Sequence, residues 1–202
     1  PGEIAYLTRI AQPDIAIVTN VHPAHLEGFG NIETILQEKL SISEGLGPDG
    51  LLLINANLAE ACKAIRADFI TFGKSDGDYH AAEISSNGLA SRFTIDGAEI
   101  DLPLPGAGNV ENALAAWAAC DKLGLKIEDF AAAVQTLPAV SMRAEVMQIG
   151  TITVLNDCYN ANPASMKNAL GILQNLQAEE NRRTVFICGE MAELGEDSEE
   201  LH

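Results

Sequence analysis

The 202 residues (21.4 kDa) carry 47% hydrophobic and 20% charged side chains, which excludes wholesale disorder and suits one domain or two small ones. With 29 acidic against 12 basic residues the net charge is −17 and the pI near 4.4, a field that repels long nucleic acids and argues against a DNA- or RNA-binding module. No run approaches the roughly 20 apolar residues of a membrane helix, and no basic, apolar leader opens the chain, so neither membrane insertion nor secretion is expected.

Taken in order, Asp14 to Thr19 is a compact β-branched run that reads as a buried strand. Asn31 to Glu44 places Ile32, Ile35, Leu36, Lys39 and Leu40 at helical spacing, with Asn31 as N-cap. Gly45, Gly47, Pro48 and Gly50 break that helix before a strand over Leu51 to Ile54. A helix over Leu58 to Arg66 and a strand over Asp68 to Phe72 follow. This β-α-β-α-β order predicts an α/β fold with a mostly parallel sheet and helices packed on it. From His80 to Leu102 the pattern changes, and the dipeptides Asn87-Gly88 and Asp96-Gly97 predict an antiparallel extension built of hairpins. Pro103, Pro105, Gly106 and Gly108 connect to a helix over Asn109 to Leu123 that stops at Gly124, and a second helix covers Ile127 to Thr136.

Leu137-Pro138 marks the expected boundary between a unit over 1–138 and the start of another over 139–202. Strands are expected over Ala144 to Ile149 and Thr151 to Asn156, around Gly150. A helix over Pro163 to Ala178 is capped by Asn162, with Pro163 at its first position. Thr184 to Cys188 reads as a buried strand ending at Gly189. This is the β-β-α-β opening of a Rossmann-like α/β unit, and about 65 residues are marginal for a core of their own. The chain opens on Pro1 rather than Met and ends on an acidic run without a base, so we expect a segment of a longer protein. Cys62, Cys120, Cys158 and Cys188 form no Cys-x-x-Cys, which predicts free thiols in a reducing, cytoplasmic setting.

Four constellations carry candidate chemistry. His22 and His25 follow the first strand at the edge where open α/β sheets bind ligands, and suit either a shared metal or loop hydrogen bonds. Lys39 stands beside the apolar Leu36 and Leu40, either sheltered and open to covalent modification or snorkelling to solvent. Gly106-Ala107-Gly108 begins like a dinucleotide fingerprint, but Glu111 stands where the third glycine belongs, which weakens an NAD-dependent reading. Asn109 and Asn112, three apart on a first helical turn, fit either a nucleobase edge or helix capping. The loop from Asn156 to Met166 gathers Asn156, Asp157, Tyr159, Asn160 and Asn162 at the next strand-to-helix edge, more polar groups than a purely structural loop needs. Arg143, one of few cations, suits either a site role or a surface ion pair.

Together these motifs resemble those of the Mur ligases, which form amide bonds in peptidoglycan precursors at the expense of ATP. The resemblance rests on Pro1-Gly2-Glu3-Ile4, on Pro13 to Val21 and on Ala24-His25-Leu26. Asn156-Asp157-Cys158-Tyr159-Asn160-Ala161-Asn162-Pro163 and Gly189 to Gly195 are similar to the branch that adds D-alanyl-D-alanine to UDP-MurNAc-tripeptide. It covers essentially the whole chain, yet no Gly-x-x-x-x-Gly-Lys-Ser/Thr phosphate loop occurs in it. The resemblance implies the latter part of the central ATP-binding domain followed by the start of the C-terminal domain, inactive alone. It implies ATP and Mg2+ as cofactors, His25 and a carbamylated Lys39 as ligands of the metal, and Asn109 with Asn112 on the adenine. It further implies Arg143 near the phosphates, with Asp157 and Asn160 closing the nucleotide site. His22 receives no role. Leu40-Ser41-Ile42 depart from the small-acidic pattern usual after that lysine. The other reading kept is a non-catalytic nucleotide-binding module of the same fold.

Overall fold

The computed structural model describes residues 1–22, 26–66, 68–180, 183–195 and 198–202. Helix α1 (Glu3–Ala11) is an element that the sequence reading does not contain. Its apolar residues Tyr6, Leu7 and Ile10 face outward while Ala5 and Thr8 are buried. It packs on the turn ending at Gly45, where a Cβ would stand 2.2 Å from the Thr8 carbonyl oxygen. Strand β1 (Ile15–Val18) follows, then the short α2 (Leu26–Phe29) and α3 (Ile32–Leu40). The Asn31 side chain caps α3 by accepting from the Thr34 N–H at 2.8 Å. The expected helix to Glu44 instead tightens after Leu40 into a 3-10 turn over Ser41–Gly45.

Strands β2 (Leu51–Asn55), β3 (Ile70–Gly73) and β4 (Tyr79–His80) complete a parallel sheet in the order β1-β2-β3-β4. The helix expected over 58–66 shrinks to the five residues of α4 (Ala59–Lys63). Alternate residues of the sheet feed two cores, as a strand buried on both faces requires. Ala16, Val18, Leu52 and Ile54 meet Leu40 and Cys62 on one side. Leu53 and Phe72 meet Leu114, Trp117 and the antiparallel strands on the other. That extension is β5 (Ala82–Ser86), β6 (Ser91–Ile95) and β7 (Ala98–Leu102). Asp96-Gly97 makes the tight turn, both residues at positive φ, whereas Asn87-Gly88 opens a four-residue loop closed by Asn87 Oδ1 on the N–H groups of Leu89 and Ala90.

Helices α5 (Ala107–Lys122) and α6 (Ile127–Val134) then cover the sheet, and Trp117 packs on Phe130 with ring centroids 5.3 Å apart. An irregular connection leads to the hairpin β8 (Glu145–Ile149) and β9 (Ile152–Asn156). Helix α7 (Pro163–Glu180) follows, capped as expected by Asn162, which accepts from the Ser165 N–H at 2.9 Å. The strand expected over Thr184 to Cys188 does not form: residues 183–190 carry neither helix nor strand and Ile187 is 90% exposed. Apolar β-branched residues report a tendency to be buried, but a strand also needs a neighbour to pair with, and among the described residues it has none. The chain ends in the short α8 (Ser198–Leu201). Among the described residues no helix is long and apolar enough to cross a membrane.

Candidate functional site

The parallel strands all point their carboxyl ends one way, and a cleft of about 760 Å³ opens there. Asn20 and His22 after β1, Asn55 at the end of β2 and Lys74 after β3 form one wall. The Gly106–Gly108 turn and Glu111 of α5 form another. Lys167 and Asn168 of α7 line it from beyond the irregular connection. A smaller groove of about 590 Å³ lies along the antiparallel extension and is lined by Ser85, Asn87 and the Arg92–Asp101 ion pair at 2.6 Å.

Lys39 reaches the cleft wall from below. Its Nζ donates to the Asn20 carbonyl oxygen at 3.0 Å, so α3 hands an amine to the turn that ends β1. The side chain is half-buried, and loss of hydration holds its pKa below the ordinary lysine value. His22 lies near it: burial first, then the charge of Lys39, lower the imidazole pKa, while Glu111 pulls it back up. Glu111 in turn pairs with Lys74 at 3.5 Å. Lys74, Lys167, His22 and, among the described residues, the single acid Glu111 thus line the cleft, a setting that can hold an anionic ligand without burying a lone charge.

For a divalent cation the donor set decides. Among the described residues no group of three or more His, Cys, Asp or Glu could hold a metal ion. As an ammonium Lys39 is a donor and repels a cation; as a carbamate it presents two oxygens, the ligand type a hard cation takes. Burial favours the neutral amine that carbamate formation consumes, so the lysine fits that role. His25 lies outside the described residues.

The remaining sequence candidates fall into two groups. Asn109 and Asn112 stand on the first turns of α5; the amide of Asn109 donates to the Pro105 carbonyl at 2.8 Å, and Asn112 is exposed. The cleft lining takes their neighbours Val110 and Glu111 instead. Arg143 and Asp157 flank the β8–β9 hairpin, and Asn160 lies just beyond it. Asp157 accepts from the Ala144 N–H at 2.9 Å, Tyr159 N–H donates to Met142 O at 3.1 Å, and the Arg143 guanidinium lies 4.0 Å over the Tyr159 ring. Asn160 Oδ1 accepts from the Ala161 N–H at 2.9 Å. Sequence reasoning did not single out Lys74, Glu111 as a charged group, or Asn168. Only the acidic residue in the failed glycine fingerprint signalled one of them.

Comparison with known proteins agrees with this architecture. The Mur ligase middle domain family matches residues 1–120, and the Mur ligase glutamate ligase domain family matches 142–202. A Bacillus subtilis UDP-N-acetylmuramoyl-tripeptide--D-alanyl-D-alanine ligase is 34% identical over the whole chain. The chain spans 44% of that relative's length, under half. The crystal structure of MurF from Acinetobacter baumannii superposes with a TM-score of 0.88 at 30% identity, over 99% of this chain and 45% of that one. MurF ligase from Thermotoga maritima, solved in complex with ADP, matches at 0.82 and 25% identity, over 100% of this chain and 47% of that one.

Proposed function

Because the chain belongs to the Mur ligase family, we propose that it contributes the nucleotide-closing part of an ATP-dependent ligase that joins D-alanyl-D-alanine to UDP-MurNAc-tripeptide. The observation that carries this reading is the half-buried Lys39 on α3, whose Nζ donates to the carbonyl of Asn20 in the wall of a cleft that α7 also lines. Relatives named for this reaction, and the ADP complex of one neighbour, support the substrates and the nucleotide. Use of ATP and of a nucleotide-linked precursor assigns the reaction to the cytoplasm and to cell-wall synthesis.

The reaction runs in two steps. A carboxylate oxygen of the tripeptide attacks the γ-phosphorus, the bond to the ADP oxygen breaks, and an acyl phosphate forms. The amine of D-alanyl-D-alanine then attacks the acyl carbon through a tetrahedral intermediate; phosphate leaves with the bonding pair and the nitrogen loses a proton. The barrier is an anion meeting an anion, so fixed positive charge must sit where the oxygens gather. Lys39 in carbamate form and His25 would hold magnesium, which supplies that charge when bound. Arg143, its guanidinium over the Tyr159 ring, would present its N–H groups to phosphate oxygens. Asn109 and Asn112, beside the lining residues Val110 and Glu111, would offer the adenine edge Asn109's free carbonyl oxygen and Asn112's exposed amide, and Asp157 with Asn160 would close over the nucleotide from the loop after β9. Closure also keeps water from the acyl phosphate.

Titration calorimetry of the chain with ADP and ATP, with and without magnesium, tests this. Saturable heat that grows with magnesium and falls in Arg143→Ala is expected. No adenine-nucleotide binding at millimolar concentration, or binding indifferent to magnesium, would overturn the proposal.

A further inference from the structure

Helix α5 begins without a cap of its own. Its N-cap position is Gly106, at φ +93°, a conformation in which no Asn, Ser or Asp could stand comfortably to receive the first free N–H groups. Asn168, sixty residues away on α7, takes that place: its Oδ1 accepts from the Gly108 N–H at 3.3 Å. The fit depends on the missing side chain, because a Cβ on Gly106 would stand 2.8 Å from Asn168 Oδ1 and 2.9 Å from Ile172 Cδ1. One turn on from Asn168, Ile172 is 1% exposed. A further turn on, Leu176 meets the hairpin loop, where a Cβ on Gly88 would lie 2.7 Å from Leu176 Cγ. Asn168, Ile172 and Leu176, four apart, make one stripe of α7, and that stripe lies on two positions without a Cβ. In the chain, α5 and α7 are separated by a long connection that includes an element-free stretch before β8.

We propose that Asn168 is a helix cap delivered across the cleft: its side-chain oxygen satisfies the Gly108 N–H that α5 cannot cap itself, and this bond latches α7 down as the roof of the site. The inference goes beyond the proposed reaction and holds whatever ligand the cleft takes. Asn168 is then a positioning residue, since the turn it caps carries Asn109 and Glu111. Opening the roof uncaps α5, so the closed arrangement and the order of that turn rise and fall together.

Amide hydrogen exchange of the ligand-free chain, read by NMR, tests the latch. A cap is worth ~1 kcal/mol, so in Asn168→Ala the Gly108 amide should exchange about five-fold faster. Asn168→Ser, whose hydroxyl is too short to reach, should do the same. Asn168→Asp, which keeps an acceptor of the same length and complements the helix dipole, should exchange no faster than the parent. Amides of β6 and β7 serve as the internal control and should not change. Amides of α7 around Ile172 should exchange faster in Asn168→Ala than in Asn168→Asp, because exchange reads rare openings of the roof. The proposal is overturned if Gly108 exchange is unmoved by Asn168→Ala and Asn168→Ser, or if β6 and β7 accelerate equally. It also falls if Asn168→Asp behaves like Asn168→Ala, or if the α7 amides exchange at the same rate in both variants.

Discussion

Glu38 offers the sharpest test of how α1 is held to α3. The side chain is 8% exposed on α3, and its carboxylate accepts from the Gly2 N–H at 2.5 Å and the Ile4 N–H at 3.0 Å. These are free donors at the start of α1, which has no side-chain cap of its own. Hydrogen bonds to a charged acceptor are worth about 1.5–3 kcal/mol each, and donors near the surface recover part of that from water. Glu38→Ala should therefore cost about 2–3 kcal/mol, and Glu38→Gln, which keeps a neutral acceptor, about 1–2 kcal/mol. In urea, with a slope of about 2 kcal/mol/M, the alanine variant's midpoint should fall by roughly 1 M. The N–H groups of Gly2 and then Ile4 hold the carboxyl below the ordinary glutamate value of 4.5. A depressed acid contributes stability that is complete above that value and is lost as pH falls through the folded one. Glu38→Gln should lose this part of the acid slope. A glutamine variant with the parent's midpoint and the parent's acid slope would refute the assignment.

Three further outcomes are expected. Incubation with 13C-bicarbonate should produce one carbamate resonance that grows as pH rises and disappears in Lys39→Ala; its persistence in that variant removes Lys39 from the site. Burial and Lys39 lower the His22 pKa below 6.5, so the unfolded chain binds more protons there, and stability should climb with pH up to about that value. His22→Gln should flatten that climb in thermal melts taken between pH 5 and 7, and an unchanged slope would contradict the geometry. Leu114, fully buried on α5 between the sheet and the extension, should cost about 3–5 kcal/mol when cut to alanine, read as a loss of urea stability.

Much of the architecture was legible in the chain itself. The β-branched run before Asn20, the breakers from Gly45 to Gly50 and the turn pair Asp96-Gly97 act over a few residues, and each element they announce is present. Asn31 and Asn162 cap the helices their positions indicate, because a cap is a bond to a donor three residues on. The resemblance to the Mur ligases was likewise carried by contiguous motifs, and the family matches bear it out. Helix α1 and the unpaired Thr184 to Cys188 run behave differently. The first is held by a carboxylate 34 and 36 residues away, and the second lacks, among the described residues, the neighbour that would make it a strand. The half-burial of Lys39, the Glu111–Lys74 pair and the Asn168 contact with Gly108 all join residues far apart in the chain. Local preference can say which residues are able to cap, pair or be buried; only the packing of α3 under β1, and of α7 over α5, decides which partner each one meets.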